Sequence, residues 1–444
     1  MSVKHKNIIY IHSHDTGTFI EPYGYKVNTP NLQKLAEEGT LFRNSFAVSP
    51  TCSPSRGALL TSKYPHRNGL TGLAHRGFSL DNYNDHIIHT LRNEAGYESF
   101  LCGIQHIAHT LENWQKIGYD GCLTSDFDDV HEKAKDFLLN YKQNKTGQRP
   151  FFLSVGFLET HRKKKGDIDD FFYDENIEAT DARYVPLIPG FMDNDDIRKD
   201  TANFIRSIKS LDTKVGVVLD ALKESGMQED TIVIFTTDHG IPFVNMKSSL
   251  KDMGTKVSLI IRDNDLFAGG KFIHEMVNNI DVFPSICDYL NIPAAKDIDG
   301  KSFMPLISGE KDAEINENLF FETNFHACYD PMRAVRTEKI KYIKRFKKSN
   351  RPIFCNNENS LSKSFMLGTD WAKTSPPEEE LYYLLNDPGE HNNLVDNSSY
   401  QNILFEMREK LENHMEATSD QLLESSEMPR PDNANLNSRD DIAP

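Results

Sequence analysis

The chain has 444 residues, of which 38% are hydrophobic and 26% charged, and it carries a net charge of −16. That length holds more than one domain-sized unit, and no apolar run approaches the ~20 residues of a membrane helix, which excludes a helical membrane span. The acidic balance excludes broad binding to nucleic acid or to an anionic membrane, while leaving room for a local basic pocket around one anion.

The chain opens with MSVKHKNIIYIHSHD, passing from basic residues through a short apolar run into polar ones, without the apolar core and small-residue cleavage site of a secretory leader. The six cysteines, Cys52, Cys102, Cys122, Cys287, Cys328 and Cys355, are scattered, with no CxxC pair and no disulfide spacing. Both features predict a cytoplasmic protein in a reducing compartment. The basic groups Lys163–Lys165 and Lys344–Lys348 read as solvated surface.

In chain order, NIIYIHSHD, YESFLCGIQH, FFLSVGFLETH and TIVIFTTDHG each predict a buried strand that runs into a loop. TPNLQKLAEEG predicts a helix capped by Thr29 and ended by Gly39. A second helix is expected over residues 197–225, with Ile205, Ile208, Leu211, Val215, Val218, Leu219 and Leu222 on one face. Strands alternating with helices define an α/β chain with a mostly parallel sheet covered on both sides. KFIHEMVNNIDVFPSICDYLNI predicts a further helical section, broken by Pro284, that closes a large domain over residues 1–317. From Asn318 the pieces shorten into strands, with a helix near Tyr400 to Gln421, so residues 318–424 predict a smaller α+β domain. SSEMPRPDNANLNSRDDIAP, residues 425–444, predicts a flexible tail.

An open parallel sheet builds its site in the loops beyond the carboxyl ends of its strands. His14, Asp15, His106, His161, Asp238 and His239 all stand at such ends, so they are expected to meet although each alone reads equally well as a capping or loop residue. Cys52 lies in VSPTCSPSRGALLTS at the entrance of a helix, where exposed amides favour an anion and Arg56 offers a forked cation.

CSPSRGALLTS, taken with NIIYIHSHDTG, TIVIFTTDHGIPF, RAVRTEKIKYI and ELYYLLNDPGEHNNL, resembles the sulfatase family of the alkaline-phosphatase-like superfamily, from about His5 to Asp420. In detail the chain is most similar to the N-sulfoglucosamine sulfohydrolase (heparan N-sulfatase) branch. The resemblance implies a three-layer sandwich around the parallel sheet, with a smaller C-terminal domain. It implies that a formylglycine-generating enzyme oxidises Cys52 to formylglycine, reading Cys52, Pro54, Ser55 and Arg56. The aldehyde hydrate would attack sulfur, and its second hydroxyl would then expel sulfate without a second attack by water. One divalent ion would be held by His14, Asp15, Cys52, Asp238 and His239. Arg56, His106, His161 and Lys247 would be catalytic, with His106 acting on the formylglycine hydroxyl and His161 with Lys247 assisting the leaving group. Glu322, His326 and Arg333 would select the substrate.

Several positions depart from the family pattern. The metal pairs read His-Asp and Asp-His where Asp-Asp and Asp-Asn are usual, which moves the expected ion from calcium toward manganese or zinc. GKxH has become GIQH, leaving Ile104 in place of a lysine, with Gln105 a candidate to compensate. Leu158 replaces a histidine, and Ser62 stands where the family usually has glycine. The function expected is formylglycine-dependent hydrolysis of a sulfate ester or sulfamate on a sulfated sugar. The alternatives are phosphodiester or phosphonate monoester hydrolysis, suggested by His239, and a sulfated-ligand binding protein without catalysis, suggested by Ile104.

Overall fold

The computed structural model describes residues 5–110, 113–141, 149–310, 313–425 and 427–444; the first four residues of the opening segment lie outside the described residues. The large sheet takes its strands from β1 (Asn7–Ser13), β2 (Thr40–Phe46), β3 (Glu98–Gly103), β4 (Gly121–Thr124) and β5 (Phe151–Gly156). After a short ribbon of β6 (Arg162–Lys163) and β7 (Asp170–Phe171), the sheet is completed by β8 (Thr231–Thr237), β9 (Leu259–Arg262) and β10 (Lys271–Asn278). The order of its eight strands is β10-β2-β9-β8-β1-β5-β3-β4. Only β9 runs antiparallel to its neighbours.

The apolar runs explain the layers. Alternate residues of a strand face opposite sides, so Ile8 and Tyr10 of β1 join one apolar cluster while Ile9 and Ile11 join the other. Ile232 and Ile234 of β8 divide from Val233 and Phe235 in the same way. A sheet buried on both faces needs near-continuous hydrophobic strands, and helices cover it on both sides. One of these is the long helix Asp195–Glu224, where the side chain of Asn194 caps Ile197 N at 3.0 Å.

The four strands read from sequence are adjacent in the order β8-β1-β5-β3, all parallel, which brings their carboxyl ends side by side. Two glycines at these ends make room for the loops beyond them. Gly103 has a φ of +85°, and a Cβ on Gly156 would run into the Ile104 carbonyl and the His12 ring.

Three expectations are corrected. The section from Lys271 is not helical throughout: Lys271–Asn278 is strand β10, pairing with β2, and only Val282–Tyr289 is α-helical. The strand forms a partly exposed sheet edge, and Pro284 sits in the first helical turn, where no amide hydrogen bond is lost. Thr29 precedes the helix Pro30–Glu38 but makes no side-chain cap; its hydroxyl instead accepts Glu21 N at 3.0 Å. The last residues are docked rather than free. Asn435 N donates to Arg76 O, Asn437 N to Ala327 O, and Lys363 Nζ to Ile442 O. Polar composition hid this, because these docking contacts are hydrogen bonds rather than apolar packing.

The smaller antiparallel sheet has the order β11 (Leu319–Phe325), β12 (Tyr329–Arg336), β13 (Ile340–Arg345) and β14 (Glu379–Tyr383), with helix Gln401–Ala417 packed on it. Glu322 N donates to Val48 O at 2.8 Å, which joins this sheet to the segment leading into the Cys52 helix. No described helix is long and apolar enough to cross a membrane. Because added volume at Gly156 meets backbone and a buried ring, Gly156→Ala is expected to cost about 1–3 kcal/mol. A thermal melt checks this, and an unchanged midpoint would show that the strand end yields freely.

Candidate active site

Residues just past three of the four strand ends adopt conformations that side chains seldom take. Asp15 (φ 40°), His106 (φ 53°) and Thr160 (φ 73°) are all left-handed without being glycine. Such strain persists only where the surroundings over-determine it, and here they do. Thr16 N donates to Thr237 Oγ1, and Thr160 N to Ser207 Oγ of the long helix at 2.7 Å. Arg162 forms a two-pronged pair with Asp200 of the same helix at 2.8 and 2.9 Å. These ties hold the loop that carries His161.

The loop after β3 is folded around Gln105. Its Oε1 accepts Ile107 N and Ala108 N at 2.6 and 2.8 Å, and its Nε2 donates to Thr110 O at 2.8 Å. Gln105 is therefore committed to shaping the turn that presents His106 and does not replace the missing lysine.

Cys52 is the first residue of helix Cys52–Thr61, which is buried along its whole length. The helix ends on Ser62, whose φ of 55° is the left-handed cap that glycine usually takes. The Ser62 hydroxyl donates to Ile280 O at 2.7 Å, a bond that glycine could not make. The Cys52 sulfur lies 3.3 Å from His239 Nε2. Burial pushes the thiol pKa up, against the opposing pull of Lys247 and His239.

Two carboxylates form the centre. Asp238 Oδ1 accepts both Asp15 N and His239 N at 2.9 Å, while its Oδ2 meets Arg56 Nη2 and His14 Nδ1 at 3.0 Å. Asp15 Oδ2 accepts Lys247 Nζ at 2.8 Å, and its Oδ1 lies 3.0 Å from His239 Nε2. Burial opposes charge on both acids. Lys247 and His239 outweigh it for Asp15, and His239, Arg56 and His14 for Asp238, so both stay well below the usual carboxylate range.

The donors needed for an ion are present and in part unused. Ligand atoms of His14, Asp15, Cys52 and Asp238 lie within 4.8 Å of one another. Both His14 nitrogens and Asp15 Oδ1 are buried without a hydrogen bond, although His14 Nδ1 is 3.0 Å from Asp238; the distance is met but the alignment is not. Buried polar atoms left unpaired are costly, and a cation among them would satisfy Asp15 Oδ1 and one of the two His14 nitrogens. His239 Nδ1 lies 3.0 Å from Gly240 O, so the proton it donates there leaves Nε2 directed at Asp15 and Cys52.

Arg56 is not directed at an outside anion. Its guanidinium donates to Asp238 and to Ser13 O and meets His12 Nδ1 at 2.5 Å, while His12 Nε2 lies 3.1 Å from Ser154 Oγ. Burial, with Arg56 adjacent, holds the His12 pKa well below its usual value, so the ring is a neutral acceptor for the arginine.

Around the centre stand His106, His161 and Lys247, as expected, together with residues that motif reading missed. His75 Nδ1 is 3.0 Å from His106 Nε2, with the two rings stacked at 5.3 Å. Burial, together with His14, His75 and Arg56, pushes the His106 pKa well down, leaving a neutral ring. Glu358 Oε1 receives Lys247 Nζ at 2.8 Å and lies 3.6 Å from His161 Nε2. Burial would raise the Glu358 pKa, but Lys247 and His161 bring it down to about 2. Neither His75 nor Glu358 sits in a motif; the turn HRG and the loop CNNENS carry no signal of their own.

Of the three expected recognition residues, only His326 belongs here. It is buried, its Nδ1 is unpaired, and Lys247, Glu358 and His239 act on it electrostatically. Glu322 accepts His66 N at 2.9 Å and bonds the His66 ring, while Arg333 pairs with Asp420 at 2.5 and 3.0 Å and with Asn324 at 2.9 Å. Those two form a separate buried charge cluster. No spacing marked this: Glu322 and Arg333 lie opposite each other on β11 and β12, whereas His326 lies in the loop between those strands. A groove of about 1150 Å³, lined by Tyr23, Arg43, Lys256 and His274, lies apart from all these groups.

A doubly covered, mostly parallel sheet, with paired acids and imidazoles at its strand ends beside a buried helix mouth, defines a hydrolase of the alkaline-phosphatase-like class. The sulfatase family model matches residues 6–292, and the model for the N-sulphoglucosamine sulphohydrolase C-terminal region matches residues 245–359. The chain belongs to the sulfatase family, the hydrolases of sulfate esters and sulfamates. It is 29% identical to an ulvan-active sulfatase of Formosa agariphila, over 90% of this chain and 77% of that one. It is 27% identical to human N-sulphoglucosamine sulphohydrolase, over 87% of this chain and 84% of the relative. A solved 2-O GAG sulfatase superposes with a TM-score of 0.71 at 20% identity, covering 97% of this chain and 96% of its own. At that identity the likeness carries the fold alone.

Losing one member of a buried charge cluster leaves its partners uncompensated. Arg333→Met is therefore expected to cost about 3–5 kcal/mol of stability while leaving the relative rates on different substrates unchanged. A melt and a substrate panel check both, and altered substrate preference would return Arg333 to a recognition role.

Proposed function

We propose that this chain hydrolyses a sulfate ester or sulfamate on a sulfated sugar, with formylglycine derived from Cys52 as nucleophile and one divalent ion at the strand ends. The carrying observation is that Cys52 stands at a helix mouth and shares one buried cluster with His14, Asp15 and Asp238. Burial keeps the cysteine protonated, which is the wrong state for a thiolate nucleophile. A cysteine converted to the aldehyde hydrate escapes that limit, and it supplies both an attacking oxygen and a second hydroxyl for release. The match to the N-sulphoglucosamine sulphohydrolase C-terminal model and the names of both relatives support a sulfated sugar.

The residues present divide the work. His14, Asp15, Asp238 and His239 would hold the ion, which would lend positive charge to the sulfate oxygens. Two imidazoles among four donors favour manganese or zinc over calcium. Arg56 orients Asp238 through a charge-assisted bond. His106, kept neutral by burial, can take a proton from the Cys52-derived hydroxyl during release. His161, its Nε2 beside Glu358, can give a proton to the departing oxygen or nitrogen, and Lys247 supplies positive charge beside it. Maturation would require a formylglycine-generating enzyme as partner. The second reading, phosphodiester or phosphonate monoester hydrolysis, rests on His239 beside Asp238.

Protein made in a host able to oxidise the cysteine should show the mass loss of thiol-to-aldehyde conversion on the Cys52 peptide. It should turn over N-sulfoglucosamine or another sulfated sugar faster than a phosphate diester, and Cys52→Ala should lose about four orders of magnitude or more in rate. Turnover of phosphate diesters alone would replace this reading with the second. Elemental analysis of metal-loaded protein should find about one manganese or zinc per chain; calcium alone at that stoichiometry would remove the argument from the imidazoles.

A further inference from the structure

Two loops of the smaller domain bring His326 and Glu358 to the site, and each carries a cysteine close by. Cys328 lies two residues after His326, and Cys355 three residues before Glu358. Both are completely buried and, with Ala327, form a small apolar cluster of their own. The Asn356 side chain locks the loops together at this point, because its Oδ1 accepts both Ala327 N and Cys328 N at 3.1 Å. The docked C-terminal segment closes over them, with Asn437 N donating to Ala327 O and Cys355 Sγ lying 3.6 Å from Ser438 O.

We propose that Cys328 and Cys355 form a disulfide that clips the His326 loop to the Glu358 loop beneath the C-terminal segment. The remaining cysteines do not share this setting: Cys52 faces His239, Cys102 donates to Val130 O, Cys122 to Thr124 O, and Cys287 belongs to the core on one face of the large sheet. Cys328 and Cys355 share their small apolar cluster and act directly on each other, the pKa of Cys328 going up and that of Cys355 down. The oxidant is a low-molecular-weight disulfide such as oxidised glutathione. The Cys355 thiolate attacks one glutathione sulfur, breaks the glutathione S–S bond and releases the first glutathione thiolate. The Cys328 thiolate then attacks Cys355 Sγ and releases the second. Two electrons pass from the cysteine pair to glutathione, and the two thiol protons go to the two thiolates released. Burial requires this exchange to precede docking of the C-terminal segment, which afterwards shields the bond from reductant. The scattered spacing in sequence concealed the pair, because the 27-residue separation between Cys328 and Cys355 includes strand β13, which brings the chain back.

The test uses the full-length chain, refolded from denaturant in a buffer of reduced and oxidised glutathione, then alkylated and digested without reduction. The expected result is one linked peptide joining Cys328 to Cys355. The oxidised protein should also melt about 2–5 °C above the fully reduced protein, and this difference should vanish in Cys328→Ser. Recovery of both cysteines as alkylated thiols, as glutathione adducts, or bonded to other cysteines would overturn the proposal. Peptide mapping needs neither a variant nor a substrate, so its outcome is independent of the proposed reaction.

Discussion

Two carboxylates placed side by side in a dry strand-end pocket are the constraint on which this molecule is organised. Asp15 and Asp238 come just after adjacent parallel strands, and their mutual repulsion would be severe if nothing opposed it. Lys247, Arg56 and His239 oppose it, each from a different part of the chain and each buried. An arrangement that costs several kcal/mol per uncompensated ion does not arise from packing alone. It leaves negative charge concentrated beside unpaired imidazole nitrogens, which is what a divalent cation recognises.

The same constraint accounts for the strained backbone. To present Asp15, His106 and His161 inward, the chain turns sharply straight after each strand, through left-handed residues that are not glycine. The hydroxyls of Thr16, Thr160, Thr237 and Ser207 and the side chain of Gln105 hold those turns. Thus the supporting shell is made of short polar groups rather than of apolar packing. That suits a site whose geometry must be kept within fractions of an ångström.

The smaller domain completes the pocket. Glu358 bonds Lys247, and His326 sits near both. Lys247 therefore lies between one acid of the large domain and one of the small, and the position of its charge depends on both. The departures at Ile104 and Ser62 have opposite consequences. Ser62 retains the helix-ending conformation and adds a hydrogen bond, whereas the charge lost at Ile104 is not restored by Gln105. The cationic and imidazole character of the pocket rests on Lys247, His75, His106 and His161 instead.

By itself the sequence determined four central strands and the polar residues that follow them, because continuous apolar runs ending in polar residues are local patterns. It also determined Cys52 and its helix, since CSPSR sits where a helix must begin. The helical reading of Lys271–Asn278 failed because an apolar section of mixed period is assigned by its neighbours, here by pairing with β2. The partners of Arg56, the inclusion of Glu358 and His75, the exclusion of Glu322 and Arg333, and the docking of the last residues were decided only by tertiary structure. Each depends on which surface a side chain meets after the chain has closed on itself, and no spacing along the chain encodes that distance.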